Sequence, residues 1–144
     1  MPKKYDPQMH SAEHILNQVM VRMFGRGRSF SSHLERKKSK CDYHFDKNLS
    51  PQEVTEIESC VNTVILSDAE VHEETISREK AAREYDLSKL PDQAGETIRI
   101  IKIGDYDACP CIGEHVTKTK EIGTFRIIST NYENGVLRIR FKLS

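Results

Sequence analysis

No stretch of this 144-residue sequence approaches the ~20 consecutive apolar residues that a helix needs to span a bilayer. Its first residues, with two lysines and no apolar segment, do not read as a secretory signal, so the chain is expected in the cytoplasm. Net charge is missing too: 22 basic residues stand against 22 acidic ones, which leaves no global field to draw in a polyanion. Any contact with nucleic acid must therefore be local. Repeats, linkers and low-complexity tracts are absent, and the length suits one domain over residues 1–144, with a single site and no room for a second catalytic module. Cysteine is scarce. Of Cys41, Cys60, Cys109 and Cys111, the last two stand too close to bridge comfortably, and the non-secreted context favours reduced thiols. Reduced thiols are available as metal ligands.

What is present is a change of hydrophobic period along the chain. Asp6 and Pro7 precede Met9, Ile15, Leu16, Val19, Met20 and Met23, a helical pattern that ends at Gly25. Residues 30–45 interleave apolar and polar side chains and read as a strand pair around a charged turn. Ser50-Pro51-Gln52-Glu53 has the form of a helix cap, opening a helix to about Leu66 with Val54, Ile57, Val61, Val64 and Ile65 inward. Residues 71–76 alternate like a strand, residues 77–85 read as a short helix, and residues 87–95 form a polar connection containing Pro91. Strands are then predicted over residues 98–103, 124–130 and 136–143, the last two joined at Asn134-Gly135, a dipeptide that supports positive φ in tight hairpins. The class is α+β, with helices packed on a largely antiparallel sheet.

Two residue pairs carry chemistry. His10 and His14 are one turn apart on the first helix and can present two imidazole nitrogens to one ion. Cys111 and His115, with Ile112-Gly113-Glu114 between them, have the same spacing in a loop that contains glycine. Three nitrogens and one sulfur make a tetrahedral set suited to zinc, with softer metals as alternatives and calcium or magnesium disfavoured. Either pair alone is weak, because histidine pairs at helical spacing are common. Together, in a chain with six histidines, they favour a metal site.

"HSAEH" followed near the other end by "CIGEHVTKTKEIGTFRI" resembles the zinc-binding editing domain of alanyl- and threonyl-tRNA synthetases, with its HxxxH and CxxxH halves. The similarity runs from His10 to Leu143 and is greatest to the short free-standing alanyl-tRNA editing proteins. Two features depart from the synthetase form: Ile112-Gly113-Glu114 stands where Gly-Gly-Thr is often found, and Cys109 is an additional thiol. Spacing selects Cys111 as the sulfur ligand. The resemblance implies a zinc-dependent hydrolase that removes an amino acid wrongly esterified to tRNA, chiefly serine on the alanine tRNA, with glycine as a second substrate. The implied partner is the tRNA acceptor end, neither DNA nor a membrane. Four protein ligands would close the sphere as in structural sites, so whether the metal is catalytic stays open.

A synthetase pocket for a small apolar side chain excludes an added hydroxyl by only ~10²-fold, so an editing site should hold a hydroxyl partner. In the resembling proteins that partner is a threonine behind an aromatic residue, and the same offset reaches Ser31 behind Phe30, with Ser32 adjacent. Asp46, Asp107 and Glu114 are candidate general bases, Glu114 standing inside the CxxxH half. Arg26, Arg28, Arg36, Lys37, Lys38 and Lys40, then Lys118 and Lys120, form basic clusters that could grip phosphates. Two other readings compete. One is editing of serine on the threonine tRNA, and the other a non-catalytic module in which zinc staples a tRNA- or synthetase-binding fold. Cys109-Pro110-Cys111 is a poor redox pair, and nothing offers an ATP site for aminoacylation.

Overall fold

The chain order of the elements is α1 (Pro7–Phe24), β1 (Ser31–His33), β2 (Ser39–His44), α2 (Pro51–Leu66), β3 (Val71–Ser77), α3 (Arg78–Glu84), β4 (Thr97–Ile103), β5 (Asp107–Pro110), a 3-10 turn (Thr119–Ile122), β6 (Phe125–Glu133) and β7 (Val136–Leu143). They are seen in a computed structural model that describes residues 6–87 and 95–144. Most of the polar connection expected around Pro91 lies outside the described residues. Among them, no helix is long and apolar enough to cross a membrane.

Local chemistry sets the helix ends. Asp6 accepts from the amides of Gln8 and Met9 at 2.9 and 3.3 Å, Pro7 follows where a helix needs no donor, and Gly25 stops the helix at a φ of 66°. Ser50 and Glu53 close the anticipated capping box on α2, with Glu53 N donating to Ser50 Oγ at 3.1 Å and Ser50 N to Glu53 Oε1 at 2.8 Å. The C-terminal hairpin turns at Asn134 and Gly135, whose φ angles of 50° and 80° match the left-handed pair expected of this dipeptide.

The strands are antiparallel throughout, as anticipated, and divide between two sheets of order β1-β2-β7-β6 and β3-β4-β5. The division has a packing cause. Cys41 and Tyr43 of β2 stand opposite Ile139 and Leu137 of β7, so the N-terminal hairpin closes on the C-terminal one. The resulting apolar face, with Phe125, Ile127 and Phe141, is covered by Met9, Ala12, Ile15, Leu16, Val19 and Met20 of α1 and by Ile57, Val61 and Ile65 of α2. A smaller cluster joins Ala81 of α3 to Ile98 and Ile100 of β4.

β5 was not anticipated. Its register sets Asp107 opposite Ile103 and Cys109 opposite Ile101, and strand alternation then places both on the face of β4 that carries Arg99, Ile101 and Ile103. Ala108 goes to the other side, against the α3 cluster. One residue past the strand, Cys111 stays anchored as its amide donates to Arg99 O at 3.2 Å.

A polar stripe also runs along α1. His10, His14 and Asn17 fall at i, i+4 and i+7, and all three are buried. Asn17 Oδ1 accepts from Ser29 N at 3.0 Å and Tyr43 Oη at 2.8 Å, which ties the segment leading into β1 to the helix that carries the histidines. Asn17→Leu would strand both donors, so it is expected to cost roughly 3 kcal/mol in urea unfolding. Tyr43→Phe removes a donor together with its need and should cost less than about 1.5 kcal/mol.

Candidate metal centre

The helix and the loop meet at four side chains. His10, His14, Cys111 and His115 offer one ligand atom each, and these atoms lie within 4.8 Å of one another. Cys111 Sγ is 3.3 Å from His10 Nε2 and 3.5 Å from His115 Nε2. In a tetrahedral site with zinc bonds to nitrogen and sulfur, neighbouring ligand atoms stand roughly 3.3–3.8 Å apart, so the two sulfur–nitrogen distances already fit and the most distant donors would have to close by about 1 Å. Three nitrogens and a thiolate suit zinc and exclude the oxygen-rich cages of calcium and magnesium.

Each imidazole turns its Nδ1 away from the sulfur and toward a protein oxygen. His10 Nδ1 is 3.3 Å from Glu114 O, and His115 Nδ1 is 3.0 Å from Ser11 Oγ, which also accepts from Val116 N at 3.1 Å. His14 Nδ1 sits 3.7 Å from Asp107 Oδ2, beyond hydrogen-bond reach, and is buried with no other partner. Such outer oxygens fix the tautomer that leaves Nε2 free to ligate.

Charge in the cluster is already arranged for ligation at Cys111. Burial pushes its thiol up, but hydrogen bonds from His10, His115 and His14 outweigh that and hold it at about 3. His14 is pulled down by burial and raised by Asp107 and Cys111, the net effect lifting it to about 9. His115 is lowered to about 4, first by burial and then, against its bond to Cys111, by the charges of His14 and His10. Cys109 behaves oppositely to Cys111: burial drives it up to about 11, and its Sγ points to Pro110 O at 3.5 Å. The fold brings Cys111, and not Cys109, to the three histidines.

Several supports emerge only from the fold, and Asp107, a candidate base in the sequence, proves to be one of them. Gly113 lies against the His10 ring, and a Cβ there would overlap Cε1 and Nδ1, so the loop carries glycine at this point because only glycine fits. Arg99 Nη1 donates to Cys111 O at 3.1 Å and Gly113 O at 2.7 Å, clamping the loop, while its Nε binds Glu73. Asp107 is buried, and it accepts from Gln18 Nε2 at 3.0 Å and from the Arg28 guanidinium at 2.9 and 3.3 Å. Burial opposes its charge, yet His14 and Arg28 hold its carboxyl below the usual range. Glu13, between the two helix histidines, is half-buried with Oε1 4.0 Å from His10 Nε2. The signal for β5 was there: Asp107, Cys109 and Cys111 alternate with Ala108 and Pro110 at period two.

The remaining expected residues scatter. Arg28 is drawn inward onto Asp107, whereas Arg26 forms an exposed pair with Asp46 at 2.7 Å. Glu114 is exposed, and it is its carbonyl that serves His10. Lys37, Lys38, Lys118 and Lys120 are exposed. Ser31 is exposed and paired with Asp42, while Ser32 is paired with Cys41 on the face that meets α1, its Oγ 2.8 Å from Ser29 Oγ.

Comparison with known proteins bears on this arrangement. Residues 98–140 match the threonyl and alanyl tRNA synthetase second additional domain. The alanine–tRNA ligase of Fervidobacterium nodosum is 32% identical over 139 residues, covering 95% of this chain and 16% of the ligase. That of Francisella philomiragia is 33% identical over 138 residues, covering 90% and 15%, and that of Methanosarcina barkeri 30% over 141 residues, covering 92% and 15%. The chain thus spans about one sixth of the length of these relatives.

Two outcomes follow from the geometry. In metal-free protein, the ultraviolet absorbance of one thiolate should persist from about pH 8 to pH 5, where an ordinary cysteine is protonated, and should vanish in Cys111→Ser but not in Cys109→Ser. In the sign of the linkage, a depressed thiol stabilises the fold fully above its ordinary value near 9 and loses that contribution progressively toward 3. Gly113→Ala and Asp107→Asn should each weaken binding of a divalent transition metal by ~10–100-fold in competition with a chelator, the first by displacing His10 and the second by leaving His14 without its carboxylate.

Proposed function

We propose that this chain, similar to alanine–tRNA ligases over nearly its whole length and to their second additional domain over residues 98–140, is a zinc-dependent hydrolase acting in the cytoplasm on mischarged aminoacyl-tRNA. Its substrate in this reading is serine, and secondarily glycine, attached to the alanine tRNA. The observation that carries the reading is the largely buried set of three imidazoles and one cysteine sulfur, assembled from both ends of a chain that aligns with those ligases over nearly its whole length.

His10, His14, Cys111 and His115 would hold the zinc, which would supply Lewis-acid polarisation of the ester or orientation of a water. An aminoacyl ester is already activated, so the protein has little else to provide beyond positioning and a proton acceptor. Glu13 fits the second task. Its carboxylate lies beside the metal-facing nitrogen of His10 and, among the described residues, has no hydrogen-bond partner to occupy it. In this reading Glu13 takes the proton of the attacking water, and Glu114 contributes through the carbonyl that orients His10. Recognition of the serine hydroxyl falls to Ser31 by its offset from the histidines, or to Ser32 by strand register. The register favours Ser32, which shares the α1-facing side with Ser29.

The deciding experiment follows the charged fraction of seryl- and alanyl-tRNA made on the alanine tRNA. Seryl ester is expected to decay with catalytic amounts of the zinc-loaded protein while alanyl ester survives. Decay no faster than in buffer would leave a zinc-stapled binding module as the better account, and equal attack on seryl-tRNA of the threonine type would reassign the tRNA. Glu13→Gln should slow seryl decay by ~10²–10⁴-fold with zinc content intact. Ser32→Val should reduce the preference for serine by roughly tenfold, and the same loss in Ser31→Val alone would return the role to Ser31.

A further inference from the structure

The outward face of the four-stranded sheet carries charge that the metal centre does not use. Register sets Lys40 of β2 opposite Arg140 of β7, and Arg126 of β6 opposite Lys142 of β7. Directly opposed like charges destabilise an antiparallel pair, and here two such pairs stand side by side. The nearby carboxylate of Asp42 cannot relieve them, being taken up by Arg138 through bonds of 2.7 and 2.9 Å. Arg140 reaches only neutral groups, Asn131 Oδ1 at 3.0 Å and Ser129 Oγ at 3.5 Å. Among the described residues, Lys40, Arg126, Arg140 and Lys142 have no carboxylate at ion-pair distance; Arg138–Asp42 lies on this same face, while the other arginine and lysine ion pairs are made elsewhere.

The β1–β2 turn extends this patch. Arg36, Lys37 and Lys38 are exposed and lead directly into Ser39 and Lys40, at the same end of the sheet as Phe141 and Lys142. Topology thus gathers three cations of the turn with four from the strands, in a chain whose total charge is zero. A face that concentrates like charge at a cost to its own sheet is complementary to a polyanion. The regular charge spacing along strands suits a chain of phosphates better than a single small anion.

We infer that this face binds the phosphodiester backbone of RNA, holding the body of the tRNA whose acceptor end is offered to the metal centre. The identity of the RNA rests on the editing reading, but the face itself does not. Its contacts are with phosphates and carry no base readout, so they add grip without sequence preference.

The test uses uncharged tRNA binding by fluorescence anisotropy over a series of salt concentrations. Lys40→Glu combined with Lys142→Glu turns both like-charged pairs into opposite pairs, so the melting temperature should hold or rise while tRNA affinity falls at least tenfold at low salt. The slope of log affinity against log salt should fall by about two, one for each lost phosphate contact. Arg83→Glu, exposed on α3, should change neither quantity. Unchanged affinity and slope in the double variant would overturn the inference, as would poly-glutamate competing as well as tRNA at equal charge, which would assign the face to an acidic protein. The seryl ester of adenosine separates the two readings in the parent protein. Hydrolysis of that ester with no salt-dependent tRNA binding overturns the face and leaves editing standing; face-dependent binding with no hydrolysis supports the face and removes editing.

Discussion

The contact between Cys111 and the histidines of α1 joins residues 101 positions apart, and the rest of the architecture serves to make that meeting possible. A helix can set His10 and His14 on one face by itself, and a loop can set Cys111 and His115 at the same spacing, but neither can hold the other. The joining is achieved by β5, which is pinned to β4 and turns Asp107 toward α1, and by the clamp of Arg99 on the loop. Because four polar ligands are taken from water together, their desolvation is offset only by mutual interaction. The thiolate of Cys111 and the raised imidazole of His14 are the two halves of that compensation.

Much of this was legible in the sequence where one physical signal dominated. Both long helices announce themselves by caps, Asp6 with Pro7 and Ser50 with Glu53, and by apolar stripes of period 3.6. The C-terminal hairpin is announced by Asn134-Gly135. The two residue pairs are each weak by spacing and gain weight only when taken together, and the fold brings all four side chains to one place.

The unread parts share a cause. β5 has the period of a strand, but its inward residues are Asp107 and Cys109, so an apolar filter passes over it. Asn17 and Glu13 sit in a helix whose apolar residues explain its burial without them. The division into two sheets depends on which strand β2 chooses as partner, and that choice is set by side-chain fit across the chain rather than by any local pattern. Likewise the outward basic face exists only once Lys40 and Arg140 are brought together by pairing; in the sequence they belong to different clusters.

Asp107 has one further consequence. It touches both His14 and Arg28, and Arg28 is followed directly by Ser29, whose amide is bound to Asn17 one turn beyond His14. The cluster of three histidines and Cys111 and the serine segment are therefore not independent parts but share one carboxylate and one helix face. Thermodynamic reciprocity then applies: whatever order a bound ion imposes on residues 28–32, a ligand gripping those residues returns to the ion as tighter retention, by the same factor. Under the proposed function, the amount of ion held at a limiting concentration would report on whether the serine segment is engaged.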